Sequence, residues 1–153
     1  MKKLLLVTVL VGSATQAQPA SRLDATASQA IVQGCVTHST ARGQSHAIVV
    51  VDSGGHVIAS LRMDGNGYGV MDFALAKARA SAAWGVATAR GNTPGFANAP
   101  HVVTVPGGVP VFSADGRTRL GAVGVSGEPP PDDVACAEVG IAAAGLRSAP
   151  APR

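Results

Sequence analysis

The stretch AIVVVDSGGHVIASLR, residues 47–62, constrains the fold more than any other part of the chain. Ala47 to Asp52 is nearly all apolar and carries three consecutive valines, a β-branched run suited to a strand in the middle of a sheet. Ser53-Gly54-Gly55 follows at once and supplies a tight reversal, so the run that begins near His56 returns antiparallel to the first. A hairpin this apolar needs further strands beside it and a layer of helices to cover it.

The flanking sequence supplies both. From Asp24 to Ala41 the residues Ala27, Ile31, Cys35 and His38 recur at helical spacing, with Asp24 placed to cap the start and Gly43 to end it. After the hairpin, DGNGYG has too many glycines for a regular element. A second helix is expected over Val70 to Trp84, alanine-rich and ended by Gly85. ATARGNTPGFANAPH has loop chemistry throughout. Three short strands are expected next, HVVTV, VPVF and LGAVGVS, joined by Pro106-Gly107-Gly108 and by Ala114-Asp115-Gly116-Arg117. A last helix over Pro131 to Ala144 has acidic residues in its first turn, where the helix dipole favours them. The order α-β-β-α-β-β-β-α, with strands joined by tight turns, predicts an α+β fold on a five-stranded antiparallel sheet, and the tail, residues 147–153, is expected to be disordered.

The first residues, MKKLLLVTVLVGSATQAQPA, combine two lysines, a short apolar run and small residues near Ala17. That is the three-part pattern of a secretory signal, so residues 1–17 are expected to be removed and the remainder exported, to the periplasm or beyond the cell. Loss of Lys2 and Lys3 from the 12 basic residues leaves ten against nine acidic ones. With so little net charge and five Phe, Trp and Tyr residues, nucleic acid is not an expected partner. Cys35 and Cys136 fall in predicted helices, outside any CxxC or zinc spacing. An oxidising compartment allows them to pair, and two buried thiols are equally compatible with the sequence.

Signatures of catalysis are sparse. GVSG is not a GxSxG elbow, GNGYG lacks the Lys-Ser/Thr ending of a phosphate loop, and HVIAS lacks HExxH spacing. Asp132 and Asp133 are adjacent, so a helix points them apart, and capping is their expected role. Lys77 is the one lysine left after export. Set among Ala, Leu and Phe, it either holds a carboxylate, reaches outward to solvent, or serves as a general base or Schiff-base residue.

Taken together, VVDSGGHVIASLRMDG, DFALAKARASAAWG, VPGGVPV, GAVGVSG and DDVACAEVGIAAAG, in that order, resemble the GlcG/HbpS family of heme-binding-protein-like domains, also described as heme-degrading. The resemblance covers about residues 23–146. It implies a profilin-like fold, homo-oligomers that reach octamers, and heme as the ligand of an exported protein acting in sequestration, transport or sensing. It also leaves two other readings open: an enzyme that degrades heme or acts on a small organic acid, with Lys77, Arg62 and Asp64 as site residues, and a structural oligomer that docks to a membrane sensor.

Under the resemblance, the RMDG end of the hairpin and the PGGVP turn lie near one groove. There Arg62 pairs with a propionate and Met63 lies against the ring, while an internal Arg62–Asp64 salt bridge is the competing role. Iron needs an axial donor. Of the four histidines, His38 and His101 are the candidates for it. His46 and His56, at strand starts, read as inert, and Thr104 is included because a threonine is implicated in some members. There is no CxxCH, which excludes covalent c-type attachment.

Overall fold

The structure is a computed structural model that describes residues 22–96 and 98–152. The proposed signal segment lies outside the described residues. The elements are α1 (Ala25–Ala41), β1 (Ala47–Asp52), β2 (Val57–Arg62), α2 (Tyr68–Trp84), a short 3-10 helix at Thr88–Asn92, β3 (Gly108–Phe112), β4 (Arg119–Ser126) and α3 (Pro130–Ala143). The four strands form one antiparallel sheet in the order β2-β1-β4-β3.

Alternation along β1 sorts the core into two layers. Ile48 and Val50 face α1 and α3, together with Val123 and Val125 of β4, whereas Ala47, Val49 and Val51 face Ala74, Ala78 and Ala82 of α2. A central strand covered on both faces must be apolar at every position, which is why the run shows no polar alternation. The α2 layer is thin. A Cβ placed on Gly124 would collide with the Ala74 carbonyl, so glycine in β4 and alanine in α2 let the helix axis come close to the sheet.

Opposite, α1 and α3 cross where a Cβ on Gly34 would stand 2.6 Å from Ala143 Cβ. Next to that crossing Cys35 and Cys136 form a disulfide across 101 residues of sequence, with Cα atoms 4.7 Å apart. The Asp24 carboxylate caps α1 by accepting the Ala27 N–H at 2.8 Å. Gly85, at φ 68°, ends α2.

Two expectations fail. The sheet has four strands and not five, because HVVTV is irregular. Pro100 and Pro106 bracket the segment, His101 sits at φ 59°, and two of its carbonyls go to side chains: Val105 to Thr88 Oγ1 at 2.8 Å and Thr104 to Asn92 Nδ2 at 3.4 Å. Those groups are lost to a ladder, and Pro106-Gly107-Gly108 consequently joins no hairpin. The tail is also ordered through residue 152. Arg147 exchanges backbone hydrogen bonds with Phe112, and the Ala151 N–H donates to the Gly116 carbonyl at 3.0 Å. The tail thus covers part of the β3 edge, which would otherwise present unpaired backbone groups to other chains.

Candidate functional site

Two regions collect the titratable side chains, one inside and one at the surface. The interior one is centred on His46, which is wholly buried just before β1. Ser39 Oγ donates to the Cys35 carbonyl at 2.8 Å and lies 2.8 Å from His46 Nδ1. Nε2 has no hydrogen-bond partner and faces Asp133 Oδ1 at 3.6 Å. Burial pushes the His46 pKa below its ordinary value, against the pull of Asp133.

Asp133 is no capping residue, contrary to the sequence expectation: its side chain is 2% exposed and accepts Lys77 Nζ at 2.8 Å on Oδ2 and the Glu128 N–H at 3.2 Å on Oδ1. Burial pushes the Asp133 carboxyl up, opposed by the Lys77 ammonium. Lys77 is 1% exposed, donates also to the Val125 carbonyl at 2.9 Å, and lies 4.8 Å from the Phe73 ring centroid.

Lys77 comes from the α2 face of the sheet and Asp133 from the α3 face. They meet past the end of β4, under the Pro106-Gly107-Gly108 segment. A Cβ on Gly107 would stand 2.8 Å from Lys77 Nζ and 3.1 Å from Asp133 Cβ, and the residue has φ 123°, so only glycine closes over this pair without strain.

RMDG abuts the same interior node and has a structural task. The Met63 N–H donates to the His46 carbonyl at 2.9 Å, and Met63 Sδ accepts the His46 N–H at 3.4 Å. The Arg62 guanidinium donates to the Asn66 carbonyl, folding the loop back on itself. Ser45 ties the loop down: its Oγ donates to the Asp64 carbonyl at 2.6 Å and accepts from Asn66 Nδ2 at 2.7 Å, while its N–H donates to Glu128 Oε1 at 2.9 Å. The RMDG and PGGVP motifs therefore do converge, on a packed interior and not on an open groove.

An open groove with two histidines in its lining lies at the other end of the hairpin. A space of about 420 Å³ is bordered by the turn from Ser53 to His56, by Arg79 and Ala83 of α2, and by His101. Asp52 Oδ1 organises the turn, accepting the N–H of Gly54 at 2.8 Å and of His56 at 2.9 Å and lying 3.3 Å from His56 Nδ1. Those contacts, the His56 N–H first, hold the Asp52 carboxyl below its ordinary value. Arg79 Nε donates to the Gly55 carbonyl at 3.2 Å and joins α2 to the turn. His101 is placed by its neighbours: Trp84 Nε1 donates to the Pro100 carbonyl at 3.0 Å, and the Trp84 ring meets Phe96 edge-on at 4.8 Å. His101 is the one non-glycine residue at positive φ among those described, a conformation that histidine tolerates better than most residues and that is concentrated at functional sites.

Of the residues singled out from sequence, only His101 reaches this groove. Arg62, Met63 and Asp64 stand at the far end of β2. Thr104 is half-buried and does not line the groove, and His38 lies half-buried on α1 with Nε2 enclosed and unpartnered. His56 and Arg79 are the additions, with Asp52 holding the turn behind His56. Among the described residues no three His, Cys, Asp or Glu side chains gather to hold a bare metal ion, and no helix is long and apolar enough to cross a membrane.

Residues 23–142 match the family described as "Haem degrading protein HbpS-like". Among solved structures the chain is similar to the PduOC:heme complex, with TM-score 0.74 and 21% identity over 84% of this chain and 99% of that one. A double mutant of Streptomyces reticuli HbpS gives TM-score 0.69 and 26% identity over 92% and 97%, and Klebsiella pneumoniae protein ORFY gives 0.71 and 24% over 89% and 97%. No curated protein matches the sequence.

Proposed function

The chain belongs to the HbpS-like family of haem degrading proteins, and we propose that it is an exported heme-binding protein acting in heme sequestration, transport or sensing. The observation that carries this reading is the groove between the β1–β2 turn and α2, which His56, His101 and Arg79 all line. Its donor set fits the group. Imidazole is a common axial donor to heme iron, and a guanidinium suits a propionate carboxylate. The short Ala83 side chain leaves room beside them, and a groove of about 420 Å³ open to solvent holds part of a macrocycle.

In this reading an imidazole of His56 or of His101 would supply an iron donor and Arg79 would pair with a propionate. Bound heme would bring a redox-active iron whose potential the axial donor and its hydrogen bonds tune. Arg62, Met63 and Asp64 secure the hairpin's other end. Lys77 is buried and paired with Asp133, which withdraws it from use as a substrate-facing base and weighs against the enzymatic alternative.

Export is supported by the signal-like pattern of residues 1–17 and by the Cys35–Cys136 disulfide, since such bonds persist in oxidising compartments. Homo-oligomerisation is supported by exposed Val57 and Leu61 on the edge strand β2 and by Val139 on α3.

A hemin titration of the protein from Gln18 onward, read by Soret absorption, tests the proposal. The expected result is a saturable, shifted band that weakens in His56→Ala and in His101→Ala. A spectrum no different from that of free hemin would sink it.

A further inference from the structure

Asp52 and His56 face each other across the β1–β2 turn, and their backbones fix the distance: the Asp52 N–H donates to the His56 carbonyl at 2.9 Å, and the His56 N–H donates to Asp52 Oδ1 at 2.9 Å. The same carboxylate oxygen lies 3.3 Å from His56 Nδ1. An ionised carboxylate only accepts hydrogen bonds, so the imidazole must donate at Nδ1, and its lone pair is left on Nε2. The imidazole itself is largely exposed, at 82%. The His56 ring is therefore open to a ligand, whereas that of His46 is wholly buried.

We propose that Asp52 is a positioning residue of the groove: its carboxylate takes the Nδ1 proton of His56, fixes the ring's tautomer, and leaves Nε2 as the donor atom for a heme iron. The part concerning iron rests on the heme reading above. The part concerning the tautomer stands on the turn alone.

The physical consequence follows from how a second hydrogen bond tunes a ligand. A carboxylate on the far nitrogen makes the near one more basic and holds the ring against rotation, and loss of such a partner weakens metal binding by about 10–100-fold. A more basic donor also favours ferric over ferrous iron, so the carboxylate lowers the reduction potential. The arrangement is anchored on two hydrogen-bonded strands, which gives it more precision than a loop would. Asp52 also accepts the Gly54 N–H at 2.8 Å, so it serves turn and ligand at once.

Asp52→Ser separates the two roles. A serine hydroxyl caps a turn in its own right but is too short to reach Nδ1. In the ligand-free protein, long-range nitrogen–proton NMR correlations should show neutral His56 protonated at Nδ1 in the wild type and no longer so in Asp52→Ser, with amide spectra otherwise alike. With hemin, Asp52→Ser should bind about 10–100-fold more weakly and carry a higher heme reduction potential, with Asp52→Asn between it and the wild type. A wild-type His56 protonated at Nε2 would overturn the proposal, and so would an Asp52→Ser protein whose affinity and potential match the wild type. If the wild type takes up no hemin, the heme reading falls and the NMR result alone upholds or overturns the Asp52 contact. If His56→Ala binds hemin as the wild type does, the iron assignment is overturned.

Discussion

The molecule twice brings together a histidine, an aspartate and a basic side chain. His46, Asp133 and Lys77 meet in the interior, whereas His56, Asp52 and Arg79 meet at the surface. Lys77 and Arg79 are two residues apart on α2, one reaching past the sheet end and the other across to the hairpin turn. Inside, the ammonium, the carboxylate and one imidazole nitrogen are committed to protein partners, and Gly107 seals the site. Outside, the carboxylate binds backbone and Nδ1, leaving the other imidazole nitrogen and the guanidinium end toward a groove. Burial turns the first trio into a clamp between layers; exposure leaves the second able to take a ligand. Residue type alone does not distinguish them.

The two regions should therefore respond oppositely to substitution. The largest effect is expected at the disulfide beneath Ser39 and His46. Closing a loop of 101 residues stabilises by about 4–5 kcal/mol in the chain-entropy view, and Cys35→Ala with Cys136→Ala should show most of that loss in a denaturation midpoint.

Next comes the ion pair. Lys77→Ala or Asp133→Ala strands a buried charge and should cost about 3–5 kcal/mol, whereas the double change Lys77→Met with Asp133→Leu should recover much of it. The surface counterpart Arg79→Ala should leave the unfolding midpoint almost unmoved while weakening hemin binding. Equal losses at Lys77 and Arg79 would break the contrast between the regions.

Acidification sharpens it further. His46 has its folded pKa lowered by burial, so below the ordinary 6.5 the unfolded chain takes up a proton that the folded chain refuses, and stability falls as pH drops through that range. Asp133 has a raised folded pKa and acts in the opposite sense, the folded state gaining protons first as pH falls toward 3.8. Melting between pH 7.5 and 5.5 should therefore decline in the wild type and flatten in His46→Gln. The smallest effect is expected at His101→Gly, which removes a side chain from a left-handed backbone position: the melting temperature should hold or rise slightly, and only hemin affinity should drop.

Much of the scaffold is legible in the sequence because its signals are local. AIVVVD reads as a central strand, Asp24 and Gly85 mark helix ends, and Ala114 to Arg117 forms the reversal before β4 as expected. HVVTV misleads because its valines suit a strand, while two prolines and the side chains of Thr88 and Asn92, outside the segment, deny it a ladder. The tail misleads in the same way, its order coming from Phe112 and Gly116 far back in the chain.

The site was harder to read for a physical reason. Asp133 looks like a cap from its position in the first turn, and nothing local shows Lys77 approaching from 56 residues away. RMDG and PGGVP do share a neighbourhood, but one filled by Met63, His46 and Lys77. His56, at the start of a strand, reads as inert in the sequence. The readable signal was Asp52 four residues before it across a tight turn, a spacing that brings an aspartate oxygen to the backbone and ring of the histidine.

If heme binds at the surface trio and not at the interior one, its iron lies close to the β1–β2 turn and far from RMDG. Paramagnetic broadening by ferric heme tests it most directly, by following amide resonances during a hemin titration. The expected result is early loss of signals from residues 53–56, 79–83 and 101, with residues 63–66 and 127–133 unaffected. Broadening confined to the second set would contradict it.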